Sequence, residues 1–310
     1  MTKLYSKFKQ ILHYKHYAPI ANPRLIMTIL AKNEEDIIER QILFNKAQGV
    51  DAFIVTDNNS SDKTLEIFRK YKDKGWILDI IEEKGENHDQ SAWVHRMIIL
   101  AKEKYNADWI INADADEFWY AKSGNLKNEL SITARNKIFI PSYNMLPEDD
   151  SDYINFSNKI IKTFPKKTEA LLERQSKLSK YSQFLKTIPK VIHRAKDYTM
   201  ILEGNHDVLM KGFSFRHISK DISICHFNIR NRQHFKRKMI DGAKAVEKNL
   251  KLGKEIACHW RYFYTGYINN TLDLDTEYDK AVGKFCKDEI KKYNILEKDT
   301  KVKDFFEKTA

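Results

Sequence analysis

Four short apolar runs, each closed by polar or acidic residues and followed by a different kind of pattern, constrain this chain more than any other feature. The runs are Arg24 to Ala31, Ala52 to Thr56, Trp76 to Ile81, and the one that opens at Trp109. Between them, Ile37, Ile38, Ile42, Leu43 and Phe44 fall at helical spacing. So do Leu65, Ile67 and Phe68, and Ser91 to Tyr105 reads as a third helix. Mostly apolar runs of this length suit buried strands. Strands alternating with helices over this distance predict a parallel, doubly wound α/β sheet. Glu34, Glu35 and Asp36 are expected in the first turn of their helix, where the dipole favours negative charge, and Ser61 is expected to cap the next one.

Open α/β sheets bind ligands beyond the carboxyl ends of their strands, so the residues closing each run are the candidates for chemistry. The first run passes into Lys32-Asn33-Glu34-Glu35, the second into Asp57-Asn58-Asn59-Ser60-Ser61-Asp62-Lys63-Thr64, and the fourth into Asp114-Ala115-Asp116-Glu117-Phe118. In extended chain Asp114 and Asp116 point the same way. Two hard oxygen ligands on one side suit Mg²⁺ or Mn²⁺, which complete their shells with substrate phosphates. A solvated acidic turn is the competing reading of the same triplet.

Taken in order, these three blocks resemble the family-2-like glycosyltransferases of the GT-A fold. The likeness covers residues 24 to 145 and continues to about residue 250 through Lys190-Val191-Ile192, Gly204-Asn205-His206 and His226-Phe227-Asn228-Ile229-Arg230. It implies an enzyme of the hexosyltransferase kind. In it, the backbone around Ala31 and Lys32, with Asn33 and Glu35, lines the donor pocket, and Asp57 accepts a hydrogen bond from the nucleotide base. Asp114 contacts the ribose or assists the metal, and Asp116 coordinates a divalent cation, Mn²⁺ or Mg²⁺, on the diphosphate. A histidine far downstream serves many such enzymes as a further metal ligand; His226, at the end of an apolar run, is the first choice here and His206 the second. Arg230 and Lys238 match positions that approach the donor diphosphate, although a solvated basic face is their plainer reading. Inverting members need one general base. Asp207 and Glu203 are the candidates, with Glu148 or Asp149 as substitutes. Glu117 reads as a local ion pair rather than a ligand.

The implied organisation is an N-terminal amphipathic arm (1–23), a catalytic domain (24–250) and a C-terminal helical extension (251–310). Within the catalytic domain, a nucleotide-sugar half (24–120) precedes an acceptor-side half (121–250) carrying a helical insertion near 150–188. Asn136 to Pro141 is a further strand candidate. In the arm, Leu4, Phe8, Ile11 and Leu12 lie at helical spacing among lysines, compatible with a helix lying on an anionic membrane surface or packed on the domain.

Composition decides between the remaining classes. No apolar run is long enough to span a bilayer, and the N-terminus lacks the apolar segment of a secretory signal. Three cysteines without paired spacing fit a reducing compartment, so the expected location is cytoplasmic, with peripheral contact at the inner membrane face. The net charge of +11 suits phosphorylated, lipidic or nucleic-acid partners. Lysines are spread among 43 acids rather than gathered in a recognition element, which argues against a nucleic-acid-binding protein. A nucleotidyltransferase would carry an early glycine-rich phosphate loop, and residues 31–35 contain no glycine. The expected partners are therefore a nucleotide-sugar donor, UDP by preference, and a glycan or lipid-linked glycan acceptor of the surface-polysaccharide, lipopolysaccharide or capsule type, without nucleic acid.

Overall fold

A computed structural model describes residues 17–84, 90–148, 152–212, 215–248 and 258–309. The amphipathic arm up to residue 16, Asp149, and the side chain of Glu203 lie outside the described set. The described residues form two compact units, one made of 17–84, 90–142 and 188–224, the other of 143–187 and the residues from 225 onward.

The first unit is built on strands β1 (Leu25–Ala31), β2 (Ala52–Asp57), β3 (Ile77–Glu82), β4 (Trp109–Asp114), β5 (Glu117–Ala121) and β6 (Lys137–Ile140). β7 (Ser142–Asn144) follows at the division between units, and β8 (Asn158–Ile160) belongs to the second unit. β9 (Lys190–Arg194), β10 (Tyr198–Ile201) and β11 (Val208–Met210) return to the first, and β12 (Ile222–His226) spans the second division. Six strands form the central sheet in the order β3-β2-β1-β4-β9-β6. The first four are parallel, and β9 runs antiparallel to both neighbours. The mostly parallel α/β sheet expected from the sequence is observed.

Its strands are apolar on both sides because helices cover both faces. Leu25, Met27 and Ile29 pack with Ile38 and Ile42 of helix α1 (Ile38–Ala47) and Phe68 of α2 (Thr64–Asp73). Ile26 and Ile54 face the other way, against Val94, Met97, Ile98 and Ala101 of α3 (Gln90–Glu103). One polar line crosses this interior. Thr28 Oγ1 donates to Asn112 Oδ1 (2.7 Å), Asn112 Nδ2 lies 3.2 Å from His193 Nε2, and His193 Nδ1 lies 3.0 Å from the Arg194 carbonyl. A carbonyl only accepts, so Nδ1 carries the proton and Nε2 accepts from Asn112. Burial pushes His193 down to about 4.

Two local expectations are corrected. The second helix starts at Thr64, and Asp62 rather than Ser61 satisfies its first turn, accepting from the Thr64 amide at 2.9 Å. Ser61 instead points its hydroxyl at Asn33 Oδ1. The acids Glu34 to Asp36 precede their helix as turns, because the helix begins only at Ile38.

β5 lies beside β12 in a separate three-stranded sheet, β5-β12-β7, and side chains of α1 hold its other edge. Asn45 of α1 donates to the Glu117 carbonyl and accepts from the Trp119 amide (3.0 Å), and Gln48 accepts from the Ala121 amide (3.1 Å). Both are buried, so these amides are satisfied where water does not reach. At the opposite end of the sheet, the Arg194 guanidinium donates to the carbonyls of Ala18, Thr133 and Arg135, each at 2.9 Å. Tyr17 O–H donates to Asp197 Oδ2 at 2.8 Å.

The second unit is mostly helical. β8 pairs antiparallel with β13 (Leu296–Lys298). Helix α4 (Lys127–Ile132) belongs to the first unit, and α5 (Lys166–Arg174) opens the helical content of the second. Residues 153–187, read from sequence as helical, thus contain one 3-10 turn, one strand and one short α-helix. Phe235 and Met239 of α6 (Arg232–Lys248) pack with Phe263 of α7 (Cys258–Ile268) and Tyr278 of α8 (Leu274–Ala281). Ile290 of α9 (Lys287–Lys292) joins Phe164, Leu172 and Phe184 in a neighbouring cluster, and α10 (Lys301–Thr309) closes the chain.

Candidate active site

Strand register places the sequence-predicted acids on one rim. Ala31, the last residue of β1, sits opposite Asp57 of β2, and Leu30 sits opposite Asp114 of β4. One strand separates the two aspartates, so their backbones lie about 10 Å apart at ordinary strand spacing. The order 3-2-1-4 also reverses direction here, between β1 and β4. That is the switch point at which open α/β sheets form a crevice.

The loops after β1 and β2 are fastened to each other. Asn33, at φ 55°, accepts from the Ser61 amide at 2.8 Å while its own amide donates to Ser60 Oγ at 3.0 Å. Glu35 Oε2 accepts from the Lys63 amide at 2.9 Å, and the Glu34 amide donates to Thr64 Oγ1 at 2.8 Å. The Ala31 carbonyl accepts from the Asn58 amide. Asn33 and Glu35 thus brace the two loops against each other through their side chains, and Lys32 is exposed. Asp57 is buried inside this brace. Its Oδ2 accepts from the Ser60 amide at 3.0 Å, and among the described residues no donor reaches the buried Oδ1.

The Asp114 to Glu117 segment differs from its sequence reading. β4 ends at Asp114 and Ala115-Asp116 form a turn, so the two aspartates do not share a strand face and the period-two argument does not apply. The Asp114 amide donates to Glu117 Oε2 at 3.2 Å, which closes the turn. Asp114 is half-exposed and Asp116 is buried. Lys190, the first residue of β9, reaches into this turn. Its Nζ lies 2.6 Å from Asp114 Oδ2, 3.2 Å from Glu117 Oε1 and 2.9 Å from the Gly204 carbonyl. Burial alone would lower the Lys190 pKa; the Asp114 and Glu117 carboxylates outweigh it and raise it. Asn205 Nδ2 donates to Asp114 Oδ1 at 3.3 Å. Gly204 and Asn205 both take positive φ (70° and 60°), and a Cβ on Gly204 would meet the His206 ring at 2.7 Å. The loop that delivers Asn205 therefore needs its glycine.

The remaining candidates are placed as follows. His206 Nδ1 lies 3.3 Å from the Pro189 carbonyl. Asp207 Oδ1 is bound by Lys137 Nζ at 2.6 Å and accepts from the Val208 amide. Lys137 pairs with His193, which pairs with Ile110, so this ion pair lies down the sheet from the rim. His226, Arg230 and Lys238 belong to the second unit. There His226 Nδ1 lies 3.1 Å from Asn144 Oδ1, Arg230 is buried, and Lys238 Nζ donates to the Asn228 carbonyl. Further along the same basic stretch, Arg232 and Lys236 pair with Asp275 and Asp279 on α8.

No cluster of three or more histidine, cysteine or carboxylate ligands occurs among the described residues. Both Asp114 oxygens are engaged, so the residues present do not fit a cage of several carboxylates. A cation here would have to be held by a single carboxylate, Asp116, with donor phosphates and water completing its shell, as Mg²⁺-type ions are commonly bound. Sequence reading quoted Lys190 and Asn205 without giving either a role. A lysine opening the apolar strand Lys190-Val191-Ile192, where a charge is expensive unless paired, was the available signal.

A mostly parallel α/β sheet with acids gathered at its switch point defines the class, and the sequence profile of glycosyltransferase family 92 matches residues 27–256. The chain belongs to that family, in agreement with the likeness to family-2-like GT-A enzymes. Several solved structures are similar at low identity. A mannosyltransferase from Pyrobaculum calidifontis, in complex with GDP-Man and Mn²⁺, is 19% identical over 46% of this chain and 43% of that one, with a TM-score of 0.33. Residues 1–349 of TarS from S. aureus, in complex with UDP, are 10% identical over 80% of this chain and 71% of that one, with a TM-score of 0.39. Glucosyl-3-phosphoglycerate synthase from Mycobacterium tuberculosis is 13% identical over 56% and 57%, with a TM-score of 0.30. The match spans less than half of the Pyrobaculum chain. No curated protein matches this chain.

Proposed function

We propose that this protein is a metal-dependent, inverting glycosyltransferase that moves a sugar from a UDP-sugar to a hydroxyl of a surface-glycan or lipid-linked glycan acceptor. The observation that carries the reading is the shared rim: Asp57, Ala31 and the Asp114–Glu117 turn flank the carboxyl end of β1 at the sheet's switch point.

The roles follow from chemistry. Asp57 offers a buried, acceptor-only oxygen, which suits the imide N–H of uracil. The braced loop carrying Asn33 and Glu35 walls the base. Asp114, with one edge half-exposed, faces the ribose, and Asp116 would hold the divalent cation, which supplies positive charge to the departing diphosphate. An inverting transfer also needs a carboxylate to take the acceptor's proton. Glu203, adjacent to the carbonyl that Lys190 grips, is preferred over Asp207, whose Oδ1 is already committed to Lys137 and the Val208 amide. A peripheral site on an anionic membrane fits a lipid-linked acceptor and the basic net charge; no helix among the described residues is long and apolar enough to cross a membrane.

The test is a thermal-shift screen of nucleoside diphosphates with and without Mn²⁺, since a ligand bound only by the folded state raises the melting point. The expected result is a shift that needs both UDP and Mn²⁺ and is lost in Asp116→Ala. No response to any nucleotide would overturn the reading.

A further inference from the structure

We propose that Lys190 is a positioning residue for donor binding: its buried ammonium fixes the Asp114 carboxylate and, through Glu117, the turn that presents Asp116. The inference rests on the donor-site reading above and assigns a role to a residue that carries no expected contact with donor or metal.

Two features support it. First, Lys190 bridges both ends of the turn, with Asp114 at 2.6 Å and Glu117 at 3.2 Å. It comes from β9, the strand hydrogen-bonded beside β4. A rigid strand therefore sets the turn's position, rather than the loop itself. Second, the same ammonium grips the Gly204 carbonyl (2.9 Å), and the next residue, Asn205, takes the other oxygen of Asp114. The carboxylate is thus held from both oxygens, in a fixed plane. Supporting groups of this kind, behind the residues that touch ligand, typically change affinity or activity by 10- to 100-fold when removed.

The experiment separates charge, folding and position. Lys190→Met alone takes the ammonium away from two acids and is expected to lower the melting temperature. The double variant Lys190→Met/Glu117→Gln restores the net charge of the turn and removes the buried surplus, but leaves Asp114 without its ammonium. Melting temperature without ligand, and UDP affinity by titration calorimetry in the presence of Mn²⁺, are measured on the full chain. The expected result is a double variant that melts near wild type yet binds UDP about 10-fold or more weakly. Wild-type UDP affinity in that variant overturns the proposal. Should the double variant not fold, Asn205→Ala carries the test, because it loosens the other Asp114 oxygen at the cost of one long hydrogen bond; unchanged UDP affinity there overturns the proposal equally. Failure of the wild-type protein to bind UDP would instead count against the donor reading itself, so the two failures are distinguishable.

Discussion

Replacing Asp57 by alanine has opposite expected effects on the free and the donor-bound protein. In the free protein the substitution loses one hydrogen bond, from the Ser60 amide to Oδ2, worth about 1 kcal/mol. It also removes Oδ1, a buried oxygen that no described donor reaches; leaving such an atom unsatisfied costs about 1–3 kcal/mol. These terms offset, so the free variant should melt at or slightly above the wild-type temperature. In the bound protein the same substitution deletes the acceptor for the base N–H. A hydrogen bond to a charged group contributes about 1.5–3 kcal/mol, which at about 1.4 kcal/mol per decade is a 10- to 150-fold loss of UDP affinity. Calorimetric titration of UDP with Mn²⁺ present, alongside melting curves without ligand, reads both effects. Asp57→Asn should fall between, because its single amide oxygen can serve either Ser60 or the base. A variant that melts far below wild type while keeping its UDP affinity would show Asp57 to be a turn brace and refute the reasoning.

Two further predictions concern the scaffold. Burial places folded His193 at about 4, below the 6.5 of a free histidine, so on acidification the unfolded chain takes up the proton first and stability falls. This group alone should remove about 2 kcal/mol between pH 7 and pH 5, rising to about 3 kcal/mol at pH 4; urea denaturation of wild type and His193→Gln should show the variant lacking that slope, and parallel profiles would sink the idea. Arg194→Met should destabilise by about 2–4 kcal/mol because three backbone carbonyls lose their donor, and Arg194→Lys should recover little, since a single ammonium does not reproduce the guanidinium fork. Equal urea midpoints for Arg194→Met and wild type would contradict that account.

The first sheet strands are visible in the sequence because each is a mostly apolar run bounded by polar residues, and the helices between them carry their apolar residues at regular spacing. Asp57 and Asp114 were legible as rim residues for the same reason: they are what the chain offers as those runs end. The geometry of the Asp114–Asp116 pair was not legible. Period-two reasoning holds only within a strand, and β4 stops at Asp114 because Glu117 folds back to its amide. The Lys190 contacts come from a residue 76 positions away, a separation no local pattern encodes. The capping of α2 failed at the level of side-chain competition, since Ser61 is drawn to Asn33 and Asp62 takes its place. Residues 153–187 gave little because their elements are three to nine residues long, shorter than the window in which periodicity can be recognised.

The Arg194–Tyr17 anchorage has a practical corollary. Arg194 pairs with Trp109, where β4 begins, whereas the acids crown the far tip of this six-residue strand, about 17 Å away. Tyr17 and Ala18 are therefore fastened at the end of the sheet opposite the acids, and substitutions there should alter stability without touching the proposed donor site.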